Sequence, residues 1–375
     1  MKKFSLLFTI TFLLLFSYDG YSIPRFALRM GGTCIDCHVN PTGGGLRSDG
    51  GFNFERNVLP MMKAEKNFKT GDKIGDNIIF GLDYRTQYLY SQQFNKTDFQ
   101  KMQGTFYTDV NVTDKLDIYA SYDFINSIWG GYGIAHILPN DSYIKVGSFK
   151  PNFGVMIDDH TAYTRGGDLG YLFQTGLNQG LIYDPRYEET GLEIGANLSD
   201  HLFLTASVGS PRTASELFAK DPTYTARLQY TPIIANTIAL MVGGSFATFE
   251  GDIPPLYTRN FPKVKMYGGF LGFGLTDFTL IGEYDIATDY ILEGTNSSAA
   301  MIEGSYQLIK GLETFVRYDR FDPNTSVSSD EVQRIVAGVD VYPYSFIEII
   351  PEYRFQFETP SVKNDSFVLQ FHFFY

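Results

Sequence analysis

The sequence predicts an all-β chain: a transmembrane antiparallel β-barrel of about sixteen strands, preceded by a short N-terminal module. Three observations point there. Apolar and polar residues alternate with period two from about residue 78 to the end. Turn signals cut that stretch into runs of roughly ten residues. The composition is 16% aromatic but only 19% charged, with slightly negative mean hydropathy. That balance suits strands with one apolar and one wetted face, not a disordered chain or a helical membrane protein.

Residues 1–22 read as an export signal. Lys2 and Lys3 form a basic start, Leu6 to Phe16 an apolar core, and Gly20 and Ser22 a small-residue cleavage region. The core is too short to span a bilayer as a helix. The mature chain from Ile23 onwards is therefore expected outside the cytoplasm.

Residues 23–70 form the predicted module. It holds Cys34-Ile35-Asp36-Cys37-His38, and Cys34 and Cys37 are the only cysteines in the chain. This is the spacing that attaches a c-type haem. The two thiols reach the two vinyl groups of one haem, and His38 turns its imidazole onto the iron. A structural zinc needs four ligands, and only Cys34, Cys37 and His38 are local. A thioredoxin-like site needs a βαβ setting, whereas this segment is rich in glycine turns. One covalent haem c is therefore the expected cofactor. The Asn40-Pro41-Thr42-Gly43-Gly44-Gly45 run reads either as a backbone turn against a flat ring, with the carbonyl of Pro41 a candidate acceptor for the other imidazole proton of His38, or as a plain flexible turn. The second axial ligand stays open between Met61 or Met62 and His160; each Met also reads as plain apolar packing.

Residues 71–375 form the predicted barrel. Strands are expected to start near 78, 101, 115, 131, 141, 187, 201, 223, 237, 263, 278, 296, 312, 331, 345 and 366. Near the C-terminus, Ile347, Ile349, Tyr353, Phe355 and Phe357 alternate with Glu348, Glu352, Arg354 and Gln356. In the last strand Phe367, Leu369, Phe371, Phe373 and Tyr375 share one face, and His372 is expected to face the lumen. Tight turns such as Thr113-Asp114, Ser199-Asp200, Thr276-Asp277 and Lys310-Gly311 alternate with longer connections, the longest from Lys150 to Arg186. Short turns on one rim and long loops on the other are the asymmetry of outer-membrane barrels, and an aromatic last residue, Tyr375, matches them. Residues 151–178 read either as a loop folded into the lumen or as a long external one, with Gly147 and Gly154 permitting the inward bend.

Charge divides the mature chain. Ile23 to Thr70 carries 7 basic and 4 acidic residues, or +3; Gly71 onwards carries 21 basic and 37 acidic, or −16. A basic module beside a strongly acidic body is expected to dock in its lumen. The acidic Asp158, Asp159, Glu188, Glu189, Glu250 and Asp252 read as loop residues, either solvated or gathering cations.

A haem segment directly after a signal and before one barrel resembles the fused monohaem cytochrome c–porins of the bacterial outer membrane. The resemblance rests on Pro24, Phe26, Ala27, Cys34, Cys37, His38, Pro41 and a glycine followed by Phe52. It implies an extracellular iron(II)–cytochrome c oxidoreductase, with outer-membrane lipid, a periplasmic cytochrome c and an extracellular reductant as partners, and no nucleic acid. The Asn-Pro-Thr-Gly-Gly-Gly run after His38 departs from the iron-oxidising members, so the donor stays open, as does the direction of electron flow. Residues 145–154 also resemble a strand and loop entry of phosphate-selective-type porins. That likeness implies the competing function, a porin for small anionic solutes with an accessory haem.

Overall fold

The computed structural model describes residues 24–65, 71–157, 159, 161–167, 180–181, 187–211, 221–235, 238–250, 263–290 and 293–375. The export signal at 1–22, Asp158, His160 and Asp252, and the side chain of Glu250, lie outside the described residues.

Sixteen long strands form one closed antiparallel sheet. The first half comprises β1 (Ile78–Ser91), β2 (Lys96–Thr113), β3 (Leu116–Asp123), β4 (Ile128–Ala135), β5 (Tyr143–Phe149), β6 (Glu189–Ser199), β7 (Leu202–Pro211) and β8 (Thr223–Tyr230). The second comprises β9 (Ile238–Glu250), β10 (Lys263–Leu275), β11 (Phe278–Thr288), β12 (Asn296–Ile309), β13 (Leu312–Asp322), β14 (Val332–Val341), β15 (Ile347–Glu358) and β16 (Ser366–Phe374). Each pairs with its chain neighbour, and β16 returns to β1, with Ser366 opposite Ser91 and Phe374 opposite Asp83. Closure satisfies every edge, which a sheet in lipid requires. Lys73–Ile74 and Ile233–Ala235 add short pairings to β1 and β9 at one rim.

The strand boundaries agree closely with the alternation, with one clear difference. The second strand starts at Lys96, not 101. Residues 96–100, Lys-Thr-Asp-Phe-Gln, carry little apolar alternation, and pairing with β1 rather than burial extends the strand through them. The turns 114–115, 200–201, 276–277 and 310–311 lie on one rim, and both described chain ends lie there too. On the opposite rim 92–95 and 124–127 are short, so the long-loop expectation fails for the first two hairpins.

The alternation sorts side chains as the pleat requires. Phe106, Ile118, Trp129, Val146, Leu271, Ile302, Val316 and Phe355 are exposed on the outer face. Asp83, Arg317, Asp319, Arg334, Glu352, Arg354 and His372 are buried on the inner one. An apolar band around a polar interior is the barrel arrangement for a bilayer. Among the described residues no helix is long and apolar enough to cross a membrane.

The segment after β5 turns inward. Pro151 to Val155 is buried. Gly154 N donates to Ser245 Oγ on β9 at 2.9 Å, and Val155 N to Glu283 Oε2 on β11 at 3.2 Å. Arg334 Nη2 on β14 donates to the Thr161 carbonyl at 2.7 Å, and Tyr163 Oη to Gln356 Oε1 on β15 at 3.1 Å. Phe153, Tyr163 and Leu181 join an apolar cluster with Phe249, Met266 and Phe321 of the wall. The described parts of this loop therefore cross the lumen, which decides between its two readings. Gly154 makes the turn possible: its φ is +61°, and a Cβ there would lie 1.7 Å from Glu283 Oε1.

The N-terminal residues fill the short-turn half of the lumen. A helix, α1 (Pro24–Met30), buries Leu28 against Met241, Phe270 and Ile281 of the wall. A second short helix, α2 (Asp49–Asn53), leads into a wider π-helical turn over Phe54–Val58. Phe26, Phe52 and Phe54 meet Tyr342, Phe346 and Phe374 at the rim. Ion pairs lock the contact with the sign the charge division predicts. Arg25 Nη1 is 2.5 Å from Asp340 Oδ2, Arg29 pairs with Glu313, and Arg47 Nη1 is 2.6 Å from Asp83 Oδ1.

Candidate functional site

Cys34, Cys37 and His38 come together through one helical turn. Cys34–Asp36 forms a 3-10 turn, and His38 N donates to the Cys34 carbonyl at 3.0 Å. Positions i, i+3 and i+4 of such a turn share a face. Asp36 closes its start, with its carboxylate accepting from Thr33 N at 2.6 Å and Thr33 Oγ1 at 3.1 Å. All three motif residues border one lumenal cavity of about 370 Å³.

The chain after His38 is an ordered hairpin-like loop, not a slack turn. His38 and Arg47 form an antiparallel bridge, and Val39 N donates to the Leu46 carbonyl at 3.1 Å. Gly43, Gly44 and Gly45 have φ of 90°, 76° and 68°, so the run lies wholly in the left-handed region. A Cβ on Gly43 would come within 3.3 Å of Cys34 Sγ, and one on Gly45 within 2.8 Å of Tyr119 Oη. Gly43 and Gly45 are thus packed against Cys34 and Tyr119, while Gly44 faces open space. Pro41 is buried in the same loop and borders a second cavity of about 110 Å³ beside Cys34.

The barrel supplies the opposite wall. Tyr107, Tyr119 and Tyr132 project inward from β2, β3 and β4, and Tyr119 stacks on Tyr132 with centroids 4.6 Å apart. Lys145 and Glu193, both fully buried, pair at 2.6 Å, and Lys145 Nζ also donates to Asn40 Oδ1 at 2.9 Å. The ammonium lies 5.1–5.3 Å from the ring centres of Tyr132, Tyr143 and Phe149. This pair ties the loop after His38 to β5 and β6, and the rings around it help to offset its desolvation.

Arg47 stands between Asp83 on β1 and Glu55, with Nε 2.6 Å from Glu55 Oε1. Burial pushes the Glu55 carboxyl up to about 7; Arg47 pulls against that and Asp83 adds to it. His372 Nδ1 is 2.8 Å from Glu348 Oε2 and its Nε2 is 3.3 Å from Asp83 Oδ1. It faces the lumen, as the alternation requires.

The structure does not bring Met61 or Met62 to this cavity. Met61 N donates to the Tyr342 carbonyl at 2.8 Å on the rim, and Met62 is 62% exposed. Local sequence distance from His38 misled, because the chain turns away through Phe54–Val58. The methionines that do border the cavity are Met102 on β2 and Met156 in the inward loop. Met102 had only its place near a strand as a signal; Met156 lies two residues beyond Gly154, which marks the bend. The acidic residues also differ from the loop reading. Glu189 opens β6 fully buried, with Tyr187 Oη donating to it at 2.6 Å, and Asp159 pairs with Arg317 inside the lumen. Glu188 borders the cavity. Among the described residues no group of three or more His, Cys, Asp or Glu is placed to hold a bare metal ion.

No family model matches this sequence, and no curated protein does. Solved structures do. The outer-membrane expressed OmpT of Vibrio cholerae aligns with TM-score 0.57 at 12% identity, over 81% of this chain and 100% of that one. The outer membrane channel DcaP of Acinetobacter baumannii gives 0.56 at 11%, over 82% and 100%. Salmonella typhi OmpF, in complex with daunomycin, gives 0.56 at 10%, over 80% and 98%. At these identities the likeness establishes a porin-like sixteen-strand barrel.

Proposed function

We propose that this chain is an electron conduit of the bacterial outer membrane. One covalent haem c is held by Cys34 and Cys37, with His38 on its iron, inside the barrel. Electrons pass between an extracellular donor, such as iron(II), and a periplasmic cytochrome c. The observation that carries this reading is the placement of the motif. Both thiols and the imidazole face one cavity within a barrel whose outer surface is apolar.

The residues fit such a group. Two thiols on one helical face suit two thioether bonds. Gly44 faces open space where a flat ring could lie, and the stacked tyrosines give it an aromatic wall. A bound haem would supply reversible one-electron chemistry. The protein's own work is placement. Arg25, Arg29 and Arg47 hold the segment in the acidic lumen, and the inward loop narrows the route for water. An insulating layer of roughly 30 Å makes a lumenal position necessary for a single centre.

The porin-like fold favours a second reading, passage of small anionic solutes with the haem as accessory. Both the N-terminal segment and the inward loop stand in that path, which favours the conduit.

The test uses the full chain in liposomes with a redox dye inside. Added external iron(II) is expected to reduce the dye in the wild type. A Cys34→Ala, Cys37→Ala variant is expected to lose both that transfer and the covalent haem signal of the denatured protein. Ion conductance on the scale of open porins, without electron transfer, would overturn the reading in favour of the channel.

A further inference from the structure

We propose that the Met156 thioether is the second axial ligand of the haem iron, which makes the inward loop part of the cofactor site. This rests on the haem reading above. The methionine and histidine side chains that share the main cavity with His38 are Met102, Met156 and His372. His372 is engaged through both ring nitrogens by Glu348 and Asp83. Binding iron through either nitrogen would take the ring contact from one of these two buried carboxylates, which is costly. Met102 is 4% exposed in the wall and also borders a small polar cavity with Arg25, Asp159 and Arg317, away from the motif.

Met156 differs in position. The main cavity and the adjoining one share only three bordering residues: Cys34, Thr42 and Met156. The methionine therefore stands at the junction that the first motif cysteine also borders. Ile157 N donates to the Val155 carbonyl at 3.0 Å, a three-residue turn with Met156 at its apex. Val155 and Ile157 both pack into the apolar cluster around Leu28 of α1, and Ile157 borders the main cavity beside Met156. The turn is pinned on each side of the peptide before it. Gly154 N donates to Ser245 Oγ at 2.9 Å, and Arg227 Nε donates to the Gly154 carbonyl at 2.7 Å. An unbranched thioether on such a support reaches a ligand position with little reorganisation. Methionine opposite histidine raises the potential relative to two histidines, which suits a centre that accepts an electron from a weak donor.

The experiment is optical spectroscopy of the purified full chain, with carbon monoxide as a probe of the reduced protein. The oxidised wild type is expected to show the far-red sulfur-to-iron charge-transfer band, and the reduced form to bind carbon monoxide poorly. Met156→Ala is expected to lose the band, bind carbon monoxide readily and shift to a lower reduction potential. Met102→Ala is expected to keep the band. Met156→His, which keeps six-coordination, is expected to lose the band without gaining carbon monoxide binding. Covalent haem with the band retained in Met156→Ala, or with no such band in the wild type, overturns this ligand and leaves the conduit reading intact. Absence of covalent haem from the wild type overturns both.

Discussion

Arg47 Nη1 lies 2.6 Å from Asp83 Oδ1, joining the segment that carries the Cys-x-x-Cys-His motif to the first strand of the barrel. The same guanidinium reaches Glu55, so one buried cation compensates two buried carboxylates. Arg47→Ala is expected to cost about 3–5 kcal/mol, because it takes the shared cation from both buried acids and leaves Asp83 to His372 and Tyr107. Thermal unfolding and protease cutting within residues 24–65 measure it. An unchanged cutting pattern would show that the pair does not hold the segment in place.

Glu55 gives the docked segment a pH dependence. Its carboxyl sits at about 7 against an ordinary 4.5, with burial as the main cause. A raised folded value means that the stability it contributes is complete below about 4.5 and is lost as pH rises through about 7. The swing is at most roughly 3 kcal/mol. The segment should resist protease best near pH 5 (roughly, from the same linkage) and least near pH 8. Glu55→Gln should flatten that slope; a slope that survives assigns it to another group.

Gly154 holds the inward path of the loop. Gly154→Ala places a methyl group on the Glu283 carboxylate at a left-handed φ, at an expected cost of about 1–3 kcal/mol. The expected outcome is a lower unfolding temperature and a larger ion conductance in planar bilayers. Conductance equal to wild type with an unchanged unfolding temperature would place the loop's anchor elsewhere.

The outer face should punish charge according to depth. Ile302 lies mid-strand in β12 and is 53% exposed, while Tyr306 lies nearer the short-turn rim at 47%. Ile302→Arg is expected to cost about 2–4 kcal/mol in lipid and Tyr306→Arg about 0–1. Equilibrium refolding into vesicles reads both, and equal costs would contradict a bilayer around this belt.

Much of the architecture was legible because alternation is a local signal. Phe367, Phe371 and Phe373 against His372 and Gln370 fix which face is which without any long-range knowledge. Residues 96–100 were missed because their pairing with β1, not their own pattern, makes them a strand. Asp159 looked like a loop acid because its partner, Arg317, meets it only in the folded lumen, and Glu189 because its pairing with Phe149 across the longest connection is not encoded locally. The inward course of the loop had a sequence signal in Gly154, but its anchors on β9 and β11 did not.

By itself the sequence determined the sixteen strands, the two faces of each, the sign of charge on module and body, and the Cys34-Cys37-His38 spacing. These depend on neighbours within a few residues, where period and turn chemistry act. Tertiary structure alone decided what meets the motif. It moved Met61 and Met62 to the rim and brought Met102, Met156 and Lys145 from distant stretches to the segment that carries the motif and to its cavity. Closing the barrel sets those distances, and no spacing along the chain encodes them.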